Sequence, residues 1–364
     1  MEEKSISNTN YITSRNYGID ALRLFSMFLV VILHVLGQGG VLAMSKSPDK
    51  YVISWTLEII AYCAVNIFAM ISGYVSYSDK EKKYRYSRYI GSWLQVFFYS
   101  FGITLIFYFM KPELVDVNKL FEFMFPVTYS KYWYFNAYTG LFFVIPWLNR
   151  LVRSCKEREL NGMIATIFLV FSCYANFARI SSDAFILKGG YSFIWLVHMY
   201  LIGAWLKKHA IAEKVSASKA GGVLLFSIML TVCSLCFPGA FNKILISYIS
   251  PTVVLMAMAY VILFSKLSFK GIGQKLIVSF SPAAFGVYLI HVQGYVWAYV
   301  MKNRFAQIAD SPAWMIPFKV IGSAAVVFTV CILIEKARIW LFQILKVDLA
   351  AEKAVSWVEG KVRR

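Results

Sequence analysis

The chain has 364 residues, 59% of them hydrophobic, 17% aromatic and 15% charged, where an ordinary soluble domain carries about 25% charged residues. With a mean hydropathy of +0.61, this balance excludes a disordered, collagen-like, coiled-coil or disulfide-scaffold protein and points to a polytopic membrane protein. The net charge of +18 sits in short loops between apolar runs, which marks membrane orientation rather than a nucleic-acid surface.

The first 17 residues are polar and of mixed charge. The apolar run that follows is too long for the core of a cleaved signal peptide and shows no small-residue cleavage site, so it reads as a retained first span. Ten apolar stretches follow one another at roughly 18–38, 52–77, 90–110, 132–149, 161–178, 191–206, 221–237, 244–265, 279–301 and 314–341. They are continuous rather than alternating, which predicts helices and not barrel strands, each crossing about 30 Å of hydrocarbon. The expected fold is all-α, with about ten transmembrane helices. The longest interruption, 111–131, holds Pro112 and Pro126 and reads as a partly structured outer loop.

Ten spans place both ends on one side. Of the 37 Lys and Arg residues, 25 fall in the two tails and alternate loops that this arrangement puts together, and 11 fall in the others; Arg23 lies inside a span. The positive-inside rule then predicts cytoplasmic termini. The resulting division is a cytoplasmic N-tail (1–17), a membrane domain (18–341) and a basic cytoplasmic C-tail (342–364). The six cysteines are scattered. Cys233 and Cys236 form a CxxC without a second pair, so all six are expected to be small buried apolar residues and no metal site is expected.

Ionisable residues inside spans are costly and are functional candidates by default. The first span holds Asp20, Arg23 and His34. Asp20 and Arg23 are neighbours at a spacing of three, and eleven residues make about three helical turns, so Arg23 and His34 share a face. The three line a cavity, or else form an interfacial pair with His34 near the far interface. The second span adds Glu58, which faces either a pocket or water, and Gly73, which permits close helix approach. The basic run after it includes Lys82, Lys83, Arg85 and Arg88. Arg85 and Arg88, three apart, can face one ligand and suit phosphate by their forked donors, or serve only as orientation charge. Trp133 and Tyr134 fall among the aromatics at span ends that also fit an interfacial belt. Tyr288 and His291 share a face of the ninth span, His198 reads as structural, and His209 has no assigned role.

Taken in order, these pieces resemble the acyltransferase-3 family of integral-membrane acyltransferases over nearly the whole chain. Asp20-x-x-Arg23, then ten residues and His34, is similar to its first-span signature. Phe68 to Tyr74, with Ser72-Gly73-Tyr74, is similar to its second-span motif. Arg85-x-x-Arg88, Trp133-Tyr134-Phe135 and Phe285-Gly286-x-Tyr288-Leu289-x-His291 follow at matching places.

The resemblance implies transfer of an acyl group, commonly acetyl from acetyl-CoA, to a hydroxyl of a carbohydrate or other envelope acceptor. It implies His34 as general base, with Asp20 and Arg23 beside it. It also implies Arg85 and Arg88 on the phosphates of the acyl-CoA donor, and Glu58, Trp133, Tyr134, Tyr288 and His291 toward substrate. No tightly bound cofactor is implied. The expected partners are the acyl-CoA donor, a carbohydrate acceptor and the lipid bilayer, and the expected location is a bacterial inner or plasma membrane. Only a short basic tail follows the last stretch, so the likeness is to stand-alone members. One difficulty follows from length: His34 lies 16 residues beyond Gly18, about 24 Å along a helix, toward the face opposite Arg85 and Arg88. A transporter or flippase of an envelope precursor is the competing reading, although no pair of broken helices is visible in the sequence. A non-catalytic membrane sensor is a third.

Overall fold

The computed structural model describes residues 15–81 and 84–362, all of them helix, turn or loop, with no strand. Lys82, Lys83 and residues 1–14 of the predicted N-tail lie outside the described residues.

The principal helices among the described residues are thirteen. They are α1 (Tyr17–Leu36), α2 (Pro48–Ala61), α3 (Ala64–Ser76), α4 (Ser87–Met110), α5 (Trp133–Ser154), α6 (Glu157–Thr166), α7 (Phe193–Lys208), α8 (Ala217–Cys233), α9 (Pro251–Ser265), α10 (Gly271–Phe280), α11 (Ala284–His291), α12 (Ile316–Ile344) and α13 (Val347–Val362). Short polar residues set several starts. Asn16 accepts a bond from the Ile19 amide to open α1, Ser192 does so for α7 and Ser216 for α8. Prolines stand in the first turn of α2 and α9, where the missing N–H costs nothing. The predicted loop 111–131 contains the short helix Val117–Met124, capped by Asp116.

The helices form two layers. α1 and the α2–α3 span are largely enclosed by protein, whereas α4, α6, α8 and α12 expose most of their apolar surface. Phe318, Val326, Leu333 and Trp340 of α12 and Leu225, Phe226 and Met229 of α8 all point outward. A stripe of this extent is untenable in water and natural against hydrocarbon. The chain is therefore a multi-pass membrane protein.

Among the described residues, six helical stretches are long and apolar enough to cross a membrane, and seven if a pair bent by 62° counts as one span. This is fewer than the ten full spans expected. Each of the ten predicted stretches contains helix, but α7 has 16 residues and α9 has 15, short of the roughly 20 that a crossing needs. Both are inner helices, held by protein on most sides. α5 has the length, but its face carries Asn136, Thr139, Asn149 and Arg150. The predicted ninth span is the bent pair: α11 stops at His291, and the chain restarts at Gly294. The cysteines also differ from expectation. Cys63 and Cys331 are buried, but Cys233 and Cys236 are exposed, because an apolar side chain on an outer membrane helix needs no protein cover.

Glycines let the inner helices touch. A Cβ on Gly73 of α3 would lie 1.9 Å from the Tyr200 carbonyl oxygen of α7, and one on Gly203 of α7 would lie 2.0 Å from the Met70 carbonyl oxygen of α3. The two helices cross backbone to backbone at this pair. Gly73→Val should force them apart at a cost of about 1–3 kcal/mol or more. A detergent thermal-unfolding scan should show a clear loss of stability, and an unchanged scan would disprove the crossing.

Candidate functional site

A cavity of about 890 Å³ runs through the inner layer. Of the predicted residues, Arg23, His34, Glu58, Trp133, Tyr134 and Tyr288 line it together. A second cavity, of about 480 Å³, is lined by Arg85, Arg88 and Arg338 with Glu352. The two share Ser92, Gln95 and Pro282 in their walls. The cavity that His34 lines and the one that Arg85 and Arg88 line thus adjoin.

α1 brings the first three candidates. Arg23 and His34 face the large cavity, as the eleven-residue spacing predicts. Asp20 differs: it is buried beside the cavity rather than in its wall. Its carboxylate takes Arg15 on one oxygen at 2.5 Å and Arg23 on the other at 2.8 Å, so it orients Arg23 rather than facing the cavity.

His34 meets His291 across the bundle, Nδ1 to Nε2 at 2.7 Å. The other ring nitrogen of His291, Nδ1, bonds the Val287 carbonyl one turn back. A carbonyl oxygen only accepts, so that Nδ1 carries the hydrogen. In neutral His291 the Nε2 is then an acceptor, and the hydrogen between the rings belongs to His34 Nδ1. The remaining nitrogen, His34 Nε2, is left with an open lone pair. Trp297 packs edge-on to the His34 ring, with centroids 4.8 Å apart. Its carbonyl accepts from Gln38, while the amides of Asn303 and Phe305 bond the carbonyls of Gln38 and Gly39. These bonds fasten the end of α1 to the segment after the bend.

The bend itself is held by Gln293. Its side-chain oxygen accepts from the Tyr295 and Val296 amides, and its amide donates to Thr104 at 2.9 Å and to the Ser100 carbonyl. This replaces the backbone bonds lost at the break.

Glu58 is nine-tenths buried and faces the cavity rather than water. One carboxylate oxygen has no hydrogen-bond partner, and neither does the Tyr288 hydroxyl. Rings surround this region. Trp133 lies 4.6 Å from Tyr191 and stacks near Tyr248, and Tyr62 lies 4.8 Å from Tyr248. Tyr134 stands edge-on to Tyr288. Lys131 lines the same cavity and pairs with Glu122 at 2.6 Å. That contact holds the Glu122 carboxyl below the usual carboxylate range.

Other polar residues are structural. Asn66 bonds the Tyr248 carbonyl and accepts from Trp195. Ser72 lines the cavity, but its hydroxyl donates to the Phe68 carbonyl. His198 packs on Phe171 away from the cavity. The described residues contain no group of three His, Cys, Asp or Glu placed to hold a metal ion.

Sequence reasoning missed Tyr62, Tyr191 and Tyr248, which carry no signal apart from other interfacial tyrosines. It also missed Glu335, Arg338 and Gln95. For Glu335 and Arg338 the signal was present, since both are ionisable residues at the end of an apolar run.

In comparison with known families, the model for the acyltransferase domain of the acyltransferase-3 type matches residues 16–336. Comparison with curated proteins and with solved structures gives no match.

Replacing Asp20 by Ala leaves two guanidinium groups without their shared partner. Folding should weaken by about 1–3 kcal/mol, the loss of the charge-assisted hydrogen bonds that the buried Asp20 carboxylate accepts. Arg15→Ala should cost less, because Arg15 is half exposed. Paired melting curves test this, and equal losses for the two variants would contradict it.

Proposed function

This chain belongs to the acyltransferase-3 family, and we propose that it transfers acetyl from acetyl-CoA to a hydroxyl of a cell-envelope polysaccharide or its lipid-linked precursor. The proposed setting is a bacterial inner or plasma membrane. The observation that carries this reading is the open lone pair on His34 Nε2, fixed by the chain from the Val287 carbonyl through His291 to His34.

A hydroxyl is a poor nucleophile at neutral pH, and a neutral imidazole within reach can take its proton as it attacks. In the proposed reaction the acceptor O–H gives its proton to His34 Nε2 while the oxygen bonds the thioester carbonyl carbon. The C–S bond then breaks, and the CoA sulfur leaves with the proton from His34. The products are the O-acetyl ester and CoA. His291 accepts from His34 Nδ1 and keeps the ring in the productive tautomer, a positioning role.

Two features support the direction of substrate entry. The Arg85–Arg88 cavity suits nucleotide phosphates, and its shared wall with the larger cavity gives the pantetheine arm a way toward His34. At the other region, Glu58 offers an unused acceptor to a sugar hydroxyl, and Trp133, Tyr134, Tyr191 and Tyr248 offer ring faces to its apolar side. The competing reading, transport of an envelope precursor, draws on the one broken span at His291–Gly294.

The test is acetyl transfer from radiolabelled acetyl-CoA in membranes carrying the protein, with the host glycan fraction as acceptor. Label should enter glycan. His34→Ala should reduce the rate by about 10²–10⁴-fold, the range for loss of a general base, with the protein still folded. His291→Phe should reduce it less. Absence of CoA consumption by folded wild-type protein would overturn the transferase reading in favour of transport.

A further inference from the structure

We propose that Arg338 is a third ligand for the nucleotide phosphates of the acyl-CoA, held in place by the buried carboxylate of Glu335. The proposal rests on the reading of the basic cavity as the donor's site.

Glu335 is completely buried in α12. Each of its oxygens accepts two hydrogen bonds. Oε1 takes Gln95 Nε2 at 3.0 Å and Arg338 Nη2 at 2.5 Å; Oε2 takes the Tyr99 hydroxyl at 2.7 Å and Arg338 Nε at 3.1 Å. A carboxylate has about four lone-pair sites, so all are occupied. Glu335 has no capacity left for substrate and acts only as an anchor tying α12 to α4.

Arg338 is different. A guanidinium has five N–H donors, and Glu335 uses two of them. The guanidinium carbon lies over Phe342, 4.4 Å from the ring centroid, and Arg338 stands in the wall of the same cavity as Arg85 and Arg88. The ring contact and the two bonds to Glu335 fix the orientation of the fork. A fork of fixed orientation with unused donors, beside two further arginines, matches a phosphate group.

Gly286 completes the device. A Cβ there would lie 2.3–2.5 Å from the Glu335 side chain, and Gln95, Tyr99 and Arg338 prevent that side chain from moving aside. The glycine between Phe285 and Tyr288 therefore leaves room for the anchor. Gln95 also lies in the wall shared by the two cavities, so the anchor stands at the junction between them.

The experiment measures binding of labelled acetyl-CoA to the purified full-length protein in detergent. The competitors are adenosine bisphosphate, which has the nucleotide phosphates without the arm, and pantetheine, which has the arm without the phosphates. Arg338→Ala should weaken acetyl-CoA and adenosine bisphosphate by about tenfold, the loss of a charge-assisted hydrogen bond, with pantetheine competition unchanged. Arg338→Lys should show the same pattern to a smaller degree, and it decides the matter if the alanine variant does not fold. Glu335→Gln and Gly286→Ala should each reproduce the nucleotide-selective loss. A purely structural Arg338 would lower the melting temperature and leave nucleotide competition at the wild-type value, which would overturn the proposal. Wild-type protein that binds no acetyl-CoA would overturn the donor reading and the proposal with it.

Discussion

A polar atom inside an apolar helical bundle must find a partner within the protein, because neither lipid nor packed side chains supply one. The molecule is organised around this constraint. Where the demand is met, a joint between helices results. Asn66 joins α3 to the loop at Tyr248 and to Trp195 of α7, Gln293 ties the helix break to α4, and Glu335 ties α12 to α4, while within α1 Asp20 fixes Arg23. Among the atoms left without a partner, one oxygen of Glu58 and the Tyr288 hydroxyl belong to residues that line the cavity, as His34 does. The satisfied groups make a frame, and in the proposed reading Glu58, Tyr288 and His34 are the groups a substrate meets.

The break after His291 belongs to the same economy. A continuous helix would carry Val292, Gly294 and Trp297 past the cavity as one more regular wall. The bend instead ends α11 with His291 beside His34 and turns Trp297 back against the His34 ring. Gln293 makes this possible by taking over the orphaned amides. Irregular backbone at this depth is tolerable because it lines a cavity and is enclosed by α1 and α4.

Much of this was legible in the sequence, for physical reasons that differ by residue. The helical class followed from unbroken apolar runs. The shared face of Arg23 and His34 followed from helical geometry, which an inner helix such as α1 obeys closely. Other features depended on partners far away in the chain. Nothing in the sequence around His34 announces His291, 257 residues later. Asp20 appeared as a cavity residue because spacing gives a face but not which side chains on it are already taken, and Arg15 and Arg23 take both oxygens. The ten predicted stretches outnumber the six or seven described helices long and apolar enough to cross, because apolarity signals burial of either kind: α7 and α9 are apolar and largely buried by protein but short. Arg338 was counted with the tail-side charges and Glu335 was given no role, since a pair three residues apart at a helix end looks the same whether it reaches water or anchors on α4.

The arrangement also bears on how this membrane domain would handle a charged donor in the proposed group transfer. In the proposed reading the donor's charged end stays where three arginines meet it, and only its narrow, uncharged arm passes the wall shared by the two cavities. The phosphates, which are the costly part to bury, never leave their cavity. The acceptor's polar groups likewise meet Glu58 and the surrounding rings without passing the arginines. Only an acetyl group and one proton need to move between the two, and the proton's path is the one nitrogen of His34 that His291 leaves open. For α4 and α12 to part here, the four-bonded carboxylate of Glu335 would have to give up its bonds to Gln95 and Tyr99. The saturated hydrogen bonding at Glu335 therefore fits a fixed conduit for an acyl arm better than a gate that opens.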